Sequence, residues 1–523
     1  MVAPRFVRHA GLWLVVLFGL ALSPSARAAE PAARVYVILW FDTEDYLLPA
    51  SDDAALHLAR FLSGENVRAT FKVVGEKARV LEKRKRTDVI EALKKHEIGF
   101  HSNYHSTQPS PALYLSQLGW DEGVREFDRR EGPGRDDVER IFGQAPTCYG
   151  QPGSSWGPQS YGAMIQWGMK VYLDAGNHVN LKDRPCYYCG ILNLYKLAYT
   201  LRADLNHAKE LPQAEERFAQ ARKELLAEGG GVVSIFYHPC EFVHKQFWDG
   251  VNFARGANPP REQWKEPPAK TAEETRVSYQ VFEEYVRFMK RFPEVRFITA
   301  SEAAKLYRDR SRDRPFTPAE LESIAKKVGE EVSFQTYDDF SLSASDVFAL
   351  LNAYVDGTWG ADERDGTRGA NATPLAPKKA SGVALAPRGL LGPTGRVPLM
   401  TAMVTTDTSQ FRRTCSDVAG FLKKHGRIPS AVWMGSRPVP PEAYLATLAR
   451  IAQLRLNGKA LPETIEIKPA KLAAARYVSD DDPAKLWGWV IFPPGFRAPA
   501  LMELAKKQSW TLKPALLDRS SER

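Results

Sequence analysis

Six short apolar runs alternate with longer amphipathic stretches between residue 35 and about residue 300. The runs are nearly continuous in apolar and β-branched residues, as in parallel strands that are buried on both faces. The stretches between them have the apolar spacing of amphipathic helices. Together they predict an α/β fold built on a parallel sheet or barrel. The expected strands are 35–41, 69–74, 97–100, 170–173, 232–237 and 295–299, and the expected helices are 53–63, 86–95, 213–227 and 275–291.

The chain is too long for one compact unit. It has 523 residues, of which 44% are hydrophobic and 25% charged, and this excludes a disordered chain and a multi-span membrane protein. The sequence turns charged and proline-bearing near residues 310–315, and it is rich in Gly, Ala and Pro from 358 to 398. We predict an α/β domain over 33–310, a helical connector over 311–357, a flexible linker over 358–398 and a smaller α-rich C-terminal domain over 399–523.

The N-terminus has the features of a secretory signal. Arg5 and Arg8 precede the apolar run 10–22, and a small-x-small cleavage site follows at 26–28. An uncleaved anchor is the alternative, but the run is short for a span of about 20 residues. We expect residues 1–28 to be removed and the mature protein, with no membrane span, to be secreted, periplasmic or at the cell surface.

The net charge of +9 is spread over the whole chain and gives only a diffuse field. It does not predict a nucleic-acid partner, whereas a mildly basic exported protein suits anionic cell-surface polymers. The five cysteines are too few for a disulfide scaffold. Cys186 and Cys189 lack a second CxxC pair, so a four-sulfur zinc site is excluded, and both a local disulfide and free thiols stay open.

The C-terminal region contains a weak internal repeat. The segment 426–432 recurs at 458–465, with Pro429 and Pro462 at equivalent positions. Each copy follows a helical pattern, which suggests two helix-turn-strand units. These units, with a helical fragment at 342–355, resemble pseudomurein-binding cell-wall repeats. That resemblance would imply a wall polymer as ligand, and chance similarity between Ala-rich helices is the alternative.

Polar side chains suited to metal and acid-base chemistry follow the predicted strands. The carboxyl ends of parallel strands in a β/α fold lie on one rim, where such folds assemble their active sites. We therefore expect residues that are distant in sequence to converge there. They are Asp42, Glu44 and Asp45 after the first strand, His101 and His105 after the third, Asp174 after the fourth, and His238 after the fifth.

His101 and His105 have the i, i+4 spacing that lets two imidazoles hold one divalent metal. A carboxylate from the first strand would be the third protein ligand. Two His and one carboxylate leave a coordination position open, which is the pattern of a catalytic zinc site. The alternative is two unrelated surface histidines.

Five short strings share the pattern of a known family: 40–45 (WFDTED), 69–75 (ATFKVVG), 101–105 (HSNYH), 172–174 (YLD) and 236–239 (FYHP). Together they resemble the polysaccharide deacetylase (NodB-homology) family of carbohydrate esterases over about residues 33–305. The resemblance implies a distorted (β/α) barrel for the α/β domain. It also implies Asp42 as general base, His238 as general acid, and His101 and His105 as metal ligands.

The carboxylate ligand departs from the commoner family pattern of two adjacent aspartates, because Thr43 follows Asp42. Family variants with a one-residue gap have their ligand where Glu44 stands. Strand alternation also turns Asp42 and Glu44 to the same side and Asp45 away. We predict Glu44 as the ligand, with Asp45 as the alternative.

A second departure concerns an arginine that pairs with the base in this family, because Gln151 stands in its place. Gln151 offers a hydrogen bond but no charge, so we expect a more basic Asp42, a divergent substrate or a loss of activity. The predicted substrate-binding residues are Gln151, Trp156, Asp174 and Tyr237, although the aromatic ones are equally suited to packing.

The resemblance implies an exported hydrolase of non-peptide C–N bonds with one divalent metal, expected to be Zn²⁺. Its substrate would be an N-acetylated amino-sugar polysaccharide, such as peptidoglycan, a chitin-like polymer or an exopolysaccharide. One alternative is an amidohydrolase of non-sugar amides or cyclic imides. The other is a non-catalytic wall-binding protein with a degenerate barrel.

Overall fold

A computed structural model describes residues 33–312, 314–364, 383–385 and 389–518. The predicted signal at 1–28 lies outside these residues, and so does most of the predicted linker at 358–398. None of the described helices is both long enough and apolar enough to cross a bilayer.

Residues 33–312 form one large sheet with helices packed around it. The expected strands and helices all appear, with ends shifted by a few residues, and additional short elements lie between them. The strands are β1 Val35–Thr43, β2 Thr70–Val73, β3 Glu97–Phe100, β4 Cys148–Tyr149, β5 Val171–Leu173, β6 Cys186–Tyr188, β7 Ile191–Leu194, β8 Gly231–Tyr237 and β9 Val295–Ile298. The helices are α1 Pro49–Gly64, α2 Gly75–Lys83, α3 Thr87–Leu93, α4 Pro111–Leu115, α5 Trp120–Phe142, α6 Gln159–Gln166, α7 Leu211–Ala227, α8 Trp248–Phe253, α9 Ala272–Lys290 and α10 Ala300–Leu306.

Strand β1 organises this sheet. It pairs in parallel with β8 on one side, and on the other side with β9 near its start and β2 near its end. From β2 the sheet continues in parallel through β3, β4, β5 and β7, and then antiparallel to β6. The result is an open, distorted (β/α) barrel, which confirms the predicted fold class.

The alternation of side chains along β1 explains why an acidic residue at its end faces the barrel interior. Residues 35, 37, 39 and 41 pack in the core beneath the surrounding helices, while residues 36, 38 and 40 belong to a second cluster inside the barrel. All nine residues are buried. Because side chains alternate along a strand, Asp42 continues the inward series at the point where β1 ends.

The chain after the barrel builds a second core from helices and short strands. Helices α12 and α14 each pack against α11 and against one another, and the buried residues of these helices form one cluster. The elements are β10 Pro315–Phe316, α11 Pro318–Lys326, β11 Glu331–Val332, β12 Gln335–Thr336, β13 Ser341–Leu342, α12 Ala344–Arg364, β14 Val383–Ala384, β15 Val404–Asp407, α13 Thr408–His425, β16 Val432–Met434, β17 Arg437–Val439, α14 Pro441–Leu456, β18 Thr464–Ile467 and β19 Lys471–Leu472.

The last described residues return to the barrel. They contain α15 Pro483–Leu486, α16 Pro499–Gln508 and β20 Lys513–Pro514. Strand β20 pairs antiparallel with β6 at the edge of the barrel sheet. Leu501 and Leu504 of α16 are buried in the barrel core. The predicted unit at 399–523 therefore divides in two, because its final third buries its apolar side chains against the barrel rather than against the second core.

Each segment of the predicted repeat joins a helix to a strand, and the repeat itself stays a prediction. Helix α13 ends at Gly426 and leads to β16, while α14 is followed by Gly458 and leads to β18. Both glycines have positive φ, at 61° and 63°. The two strands pair with different partners, since β16 pairs with β17 and β18 with β15. A wall polymer as ligand of this region stays a prediction.

All five cysteines are buried and unpaired. In this structure the predicted alternatives for Cys186 and Cys189 resolve to two free thiols. Burial raises the pKa of both thiols, so neither is a ready thiolate.

Candidate metal and hydrolase site

Two acidic side chains leave the end of β1 toward the barrel interior, and a third turns away. Asp42 and Glu44 line the central cavity. The Asp45 carboxylate instead accepts a hydrogen bond from the Leu47 backbone amide at 2.8 Å and contacts the Ser51 hydroxyl. The interior position of Glu44 agrees with the predicted alternation.

His101 and His105 follow β3 in a tight loop. His101 Nδ1 donates to the Gly150 carbonyl oxygen at 3.0 Å, which turns Nε2 toward the interior. Ser102 and His105 have φ values of 67° and 57°, a left-handed conformation that is costly for residues other than glycine. Such strain persists only where the surroundings enforce it, so the loop is held in one specific shape.

Helix α5 supports this loop from outside. The Glu131 carboxylate accepts a hydrogen bond from the Asn103 backbone amide at 2.6 Å. A Cβ on Gly134 would lie 2.5 Å from Asn103 Oδ1, so only glycine permits this approach. The Gly-Pro-Gly string at 132–134 obscures α5 in the sequence, yet it is what lets the helix reach the loop.

Glu44, His101 and His105 converge as potential metal ligands. Their ligand atoms all lie within 4.8 Å of one another, and the three side chains are buried. His105 Nε2 lies 2.9 Å from Glu44 Oε2 without the alignment of a hydrogen bond. Glu44 Oε1 and His105 Nε2 have no hydrogen-bond partner among the described residues.

The charges of this cluster suit a divalent cation. Burial would raise the pKa of Glu44, but the neighbouring His105 and His238 hold that pKa well below its usual value. Burial lowers the pKa of His101, which favours a neutral imidazole with an acceptor at Nε2. One carboxylate and two imidazoles with unpartnered buried atoms fit the donor set of zinc.

Asp42 forms a buried ion-pair network with Lys72 and Asp174. Lys72 Nζ lies 2.9 Å from Asp42 Oδ1 and 2.7 Å from Asp174 Oδ2. Lys72 stands next to Asp42 in the register of β1 and β2. Burial would raise the pKa of Asp42, but the surrounding positive groups, Lys72 among them, hold it below its usual value.

Lys72 thus supplies the charge that Gln151 lacks. The Gln151 side chain lines the cavity but is bound elsewhere, because its amide donates to the Gly153 carbonyl at 3.1 Å and accepts from Tyr172 at 2.7 Å. The expectation of a more basic Asp42 is therefore wrong. The sequence contained the signal, since Lys72 interrupts an otherwise apolar strand.

His238, at the end of β8, lies beside the acidic pair on the strand next to β1. Its Nε2 lies 3.6 Å from Asp42 Oδ2 and 4.0 Å from Glu44 Oε2. Its Nδ1 contacts the Glu241 carboxylate, which in turn contacts Arg202. Burial would lower the pKa of His238, but Glu241, Glu44 and Asp42 raise it to about 9. His238 is therefore protonated at neutral pH.

These side chains surround one cavity of about 600 Å³. Its lining includes the proposed metal ligands and acid-base groups together with two predicted substrate-binding residues: Asp42, Glu44, His101, His105, His238, Gln151 and Asp174. This volume is in the range of small-molecule binding sites. The other two predicted substrate-binding residues do not reach it. Trp156 is fully buried and stacked on His178, and Tyr237 is fully buried with its hydroxyl bonded to the Ala203 backbone. Both side chains pack in the core, and other residues line the cavity.

Several cavity residues were not predicted from the sequence. Asp249 and Phe247 come from the segment around the start of α8, and Trp489 and Val490 from the loop between α15 and α16. No local motif marks these positions. Glu241, which contacts His238 from outside the cavity, was not predicted either. Its position one short helical turn after His238 was the one clue in the sequence.

The chain is structurally similar, at low sequence identity, to several solved proteins. A Mycobacterium smegmatis protein described as a polysaccharide deacetylase is 15% identical with a TM-score of 0.35, covering 53% of this chain and 93% of its own. The Puue allantoinase is 13% identical with a TM-score of 0.34, covering 56% and 97%. A Pseudomonas aeruginosa PAO1 protein described as a polysaccharide deacetylase is 13% identical with a TM-score of 0.33, covering 52% and 90%. No family model and no curated protein matches the sequence.

Proposed function

We propose that the protein is a metal-dependent amide hydrolase that removes N-acetyl groups from an amino-sugar polysaccharide. The observation that carries the proposal is the convergence of Glu44, His101 and His105 with Asp42 and His238 in one cavity. A metal-ligand set, a carboxylate base and a protonated imidazole are three parts that together support metal-dependent amide hydrolysis by water. The alternation of β1 and the ends of the parallel strands bring them together.

Glu44, His101 and His105 would hold the metal. A divalent ion bound there supplies Lewis acidity for the acetamide carbonyl and makes water more acidic. The carboxylate of Asp42 takes a proton from the attacking water, and Lys72 keeps that carboxylate ionised beforehand. The carbonyl carbon gains a bond to the water oxygen in this step.

His238 completes the reaction on the nitrogen side. An amide nitrogen leaves poorly unless it is protonated. The protonated His238, held by Glu241, donates its Nε2 proton to the departing nitrogen as the C–N bond breaks. The products are acetate and the free amine of the sugar, so one water is consumed for each acetyl group released.

We also propose that the protein acts outside the cytoplasm. The signal-like residues 1–28 support export, and an exported deacetylase would meet polymeric substrates directly. We infer Zn²⁺ as the metal, since one carboxylate and two imidazoles with an open position are a donor set that catalytic zinc takes. Peptidoglycan, a chitin-like polymer and an exopolysaccharide all present the acetamido group that this site would hydrolyse.

Acetate release from a panel of acetylated glycans, with and without a chelator, tests the proposal. We expect release from at least one glycan, its loss on chelation and its recovery on adding Zn²⁺. The glycans are chitooligosaccharides and peptidoglycan. Two non-sugar substrates are tested beside them: a simple acetanilide, also followed by acetate release, and a cyclic imide, followed by ring opening. Hydrolysis of only the last two would replace the sugar substrate with a non-sugar amide. An inert protein that holds its metal and still binds peptidoglycan would instead indicate a wall-binding function.

A further inference from the structure

The loop between α15 and α16, residues 487–498, forms part of the cavity wall. It lies far beyond the barrel strands in sequence, yet Trp489 and Val490 line the cavity beside the candidate metal ligands. The Arg255 backbone amide donates to the Val490 carbonyl at 2.8 Å, and the Gln108 side-chain amide donates to the Ile491 carbonyl at 3.3 Å. The loop is thus bonded to the barrel rim on two sides.

Trp489 is held in a defined orientation. Its indole Nε1 donates to Asp249 Oδ2 at 2.8 Å, and its backbone amide donates to Ser154 Oγ at 3.2 Å. The indole lies directly over Gly153, where an added Cβ would come within 2.2 Å of the ring. Asp249 is itself buried, so this hydrogen bond is protected from water.

Two aromatic rings flank the functional histidines. Trp489 meets His105 edge-on, with ring centroids 5.1 Å apart. Phe247 meets His238 edge-on, with centroids 4.9 Å apart. Both rings line the cavity, Trp489 half-buried and Phe247 exposed. One aromatic ring therefore stands beside the metal-ligand set and the other beside the proposed acid.

Trp487, two residues before Trp489, is a tryptophan of the same loop that serves packing alone. It is 5% exposed, and its indole donates to Asp481 within the same C-terminal segment. Trp489 differs because part of its ring remains open to the cavity. An aromatic ring fixed at its polar edge and open on its surface is suited to stack on the apolar face of a sugar.

We propose that Trp489 and Phe247 form the subsite that holds the sugar ring whose acetamido group reaches Glu44, His101 and His105. The C-terminal loop is then part of the active site, and Trp489 is a specificity-determining residue. This inference rests on the proposed function for its choice of ligand. A sugar unit fits the chemistry, since its C–H face meets the rings while its polar substituents face the cluster of charged side chains.

Binding of chitotetraose to the zinc-loaded full-length chain, measured by calorimetry in an Asp42→Asn background that should not turn the ligand over, tests the subsite separately from turnover. We expect Trp489→Ala and Phe247→Ala each to weaken binding by about tenfold or more, and Trp489→Phe by less than about threefold. Trp433→Ala is the matched control, because Trp433 is 57% exposed on the second core and does not line the cavity. Metal content should be the same in all variants.

Wild-type affinity in Trp489→Ala would overturn the subsite, and so would a loss of affinity that only follows a loss of zinc or of folded protein. If Trp489→Ala fails to fold, the outcome for Phe247→Ala and Trp489→Phe decides.

The same measurements separate the subsite from the proposed function. A wild-type protein that binds chitotetraose without releasing acetate would contradict the proposed function and leave the subsite standing. One that releases acetate, with an unchanged KM in Trp489→Ala, would contradict the subsite alone. A wild-type protein that does not bind chitotetraose would overturn the assignment of Trp489 and Phe247 to a sugar subsite.

Discussion

Lys72 is an ammonium group with no solvent exposure, held between two carboxylates. Burial would lower its pKa, but Asp174 and Asp42 raise it, so Lys72 keeps its charge. The ring of Trp40, 4.2 Å from Nζ, adds a cation–π contact. Without this charge the two carboxylates would face each other in a dry site and would share a proton.

Replacing Lys72 tests its role beside the base. Lys72→Met should lower kcat/KM by about 10² or more, because Asp42 then competes with Asp174 for a proton. It should also cost about 3–5 kcal/mol in the free energy of unfolding, since one partner of a buried ion pair is removed. Lys72→Arg keeps the charge and should retain more activity. Wild-type turnover in Lys72→Met, measured by acetate release, would show that Asp42 does not depend on this cation.

Glu241 raises the pKa of His238, so we expect it to set the basic limb of the pH profile of kcat/KM. His238 acts in its protonated form, so kcat/KM should fall as pH rises through its pKa of about 9. Glu241→Gln removes a negative neighbour, which lowers that pKa and moves the basic limb of the pH profile to lower pH. Glu126→Gln, at a surface pair with Arg129, is the control. Identical basic limbs in wild type and Glu241→Gln would argue against His238 as the acid.

At the residue scale, strand ends were predictable and side-chain partners were not. The clustering of Asp42, Glu44 and His238 follows from where parallel strands end, which the apolar runs define. Trp156 and Tyr237, predicted as substrate contacts, are buried and do not line the cavity, because sequence proximity to a motif does not say which way a side chain packs. Lys72, Glu241 and Trp489 act through contacts between different elements, and only the fold brings those elements together.

At the scale of elements, the amphipathic pattern predicted the long helices and the buried strands well. It missed α5, because Pro133 interrupts the helix internally. It also missed β4, β6 and β7, which are only two to four residues long. Strands this short show no period by themselves. The equally short β2, β3, β5 and β9 were predicted from apolar runs between amphipathic stretches, whereas pairing with neighbours places β4, β6 and β7.

Helix α16 packs against the barrel core, and a substitution in it tests whether the C-terminal segment stabilises the barrel. Leu501 is 1% exposed within the barrel core. Leu501→Ala should lower the free energy of unfolding by about 2–5 kcal/mol, through lost burial and a residual cavity. Leu399→Ala, at a side chain that is 91% exposed, should change it by less than about 0.5 kcal/mol. Equal midpoints for the two variants in urea unfolding would mean that α16 does not pack on the barrel.

At the scale of the whole molecule, one ion-pair network joins the two cores. Lys513 of β20, in the barrel sheet, lies 2.9 Å from Asp346 Oδ2 at the start of α12. Arg312, at the exit of the barrel, contacts the other carboxylate oxygen of Asp346. Both Asp346 and Lys513 are buried. The second core is therefore fixed to the barrel by buried charges.

This network predicts an acid-dependent loss of stability. Burial would raise the pKa of Asp346, but Lys513 and Arg312 hold it below its usual value. A carboxyl with a lowered folded pKa stabilises the fold above its unfolded pKa of about 3.9, and this contribution is lost as pH falls toward the folded value. Asp346→Asn should cost about 3 kcal/mol at pH 7. The difference from wild type in denaturant unfolding should shrink below about pH 4, and a constant difference would contradict the assigned charge.

The metal content of the purified full-length chain tests the central claim most directly. After dialysis against Zn²⁺ and removal of the excess, we expect about one equivalent in the wild type. Asp45→Asn, on the carboxylate that turns away from the cavity, should retain it, whereas Glu44→Gln should lose most of it. A wild type without stoichiometric zinc, or a Glu44→Gln variant that holds as much zinc as Asp45→Asn, would contradict a metal centre at Glu44, His101 and His105.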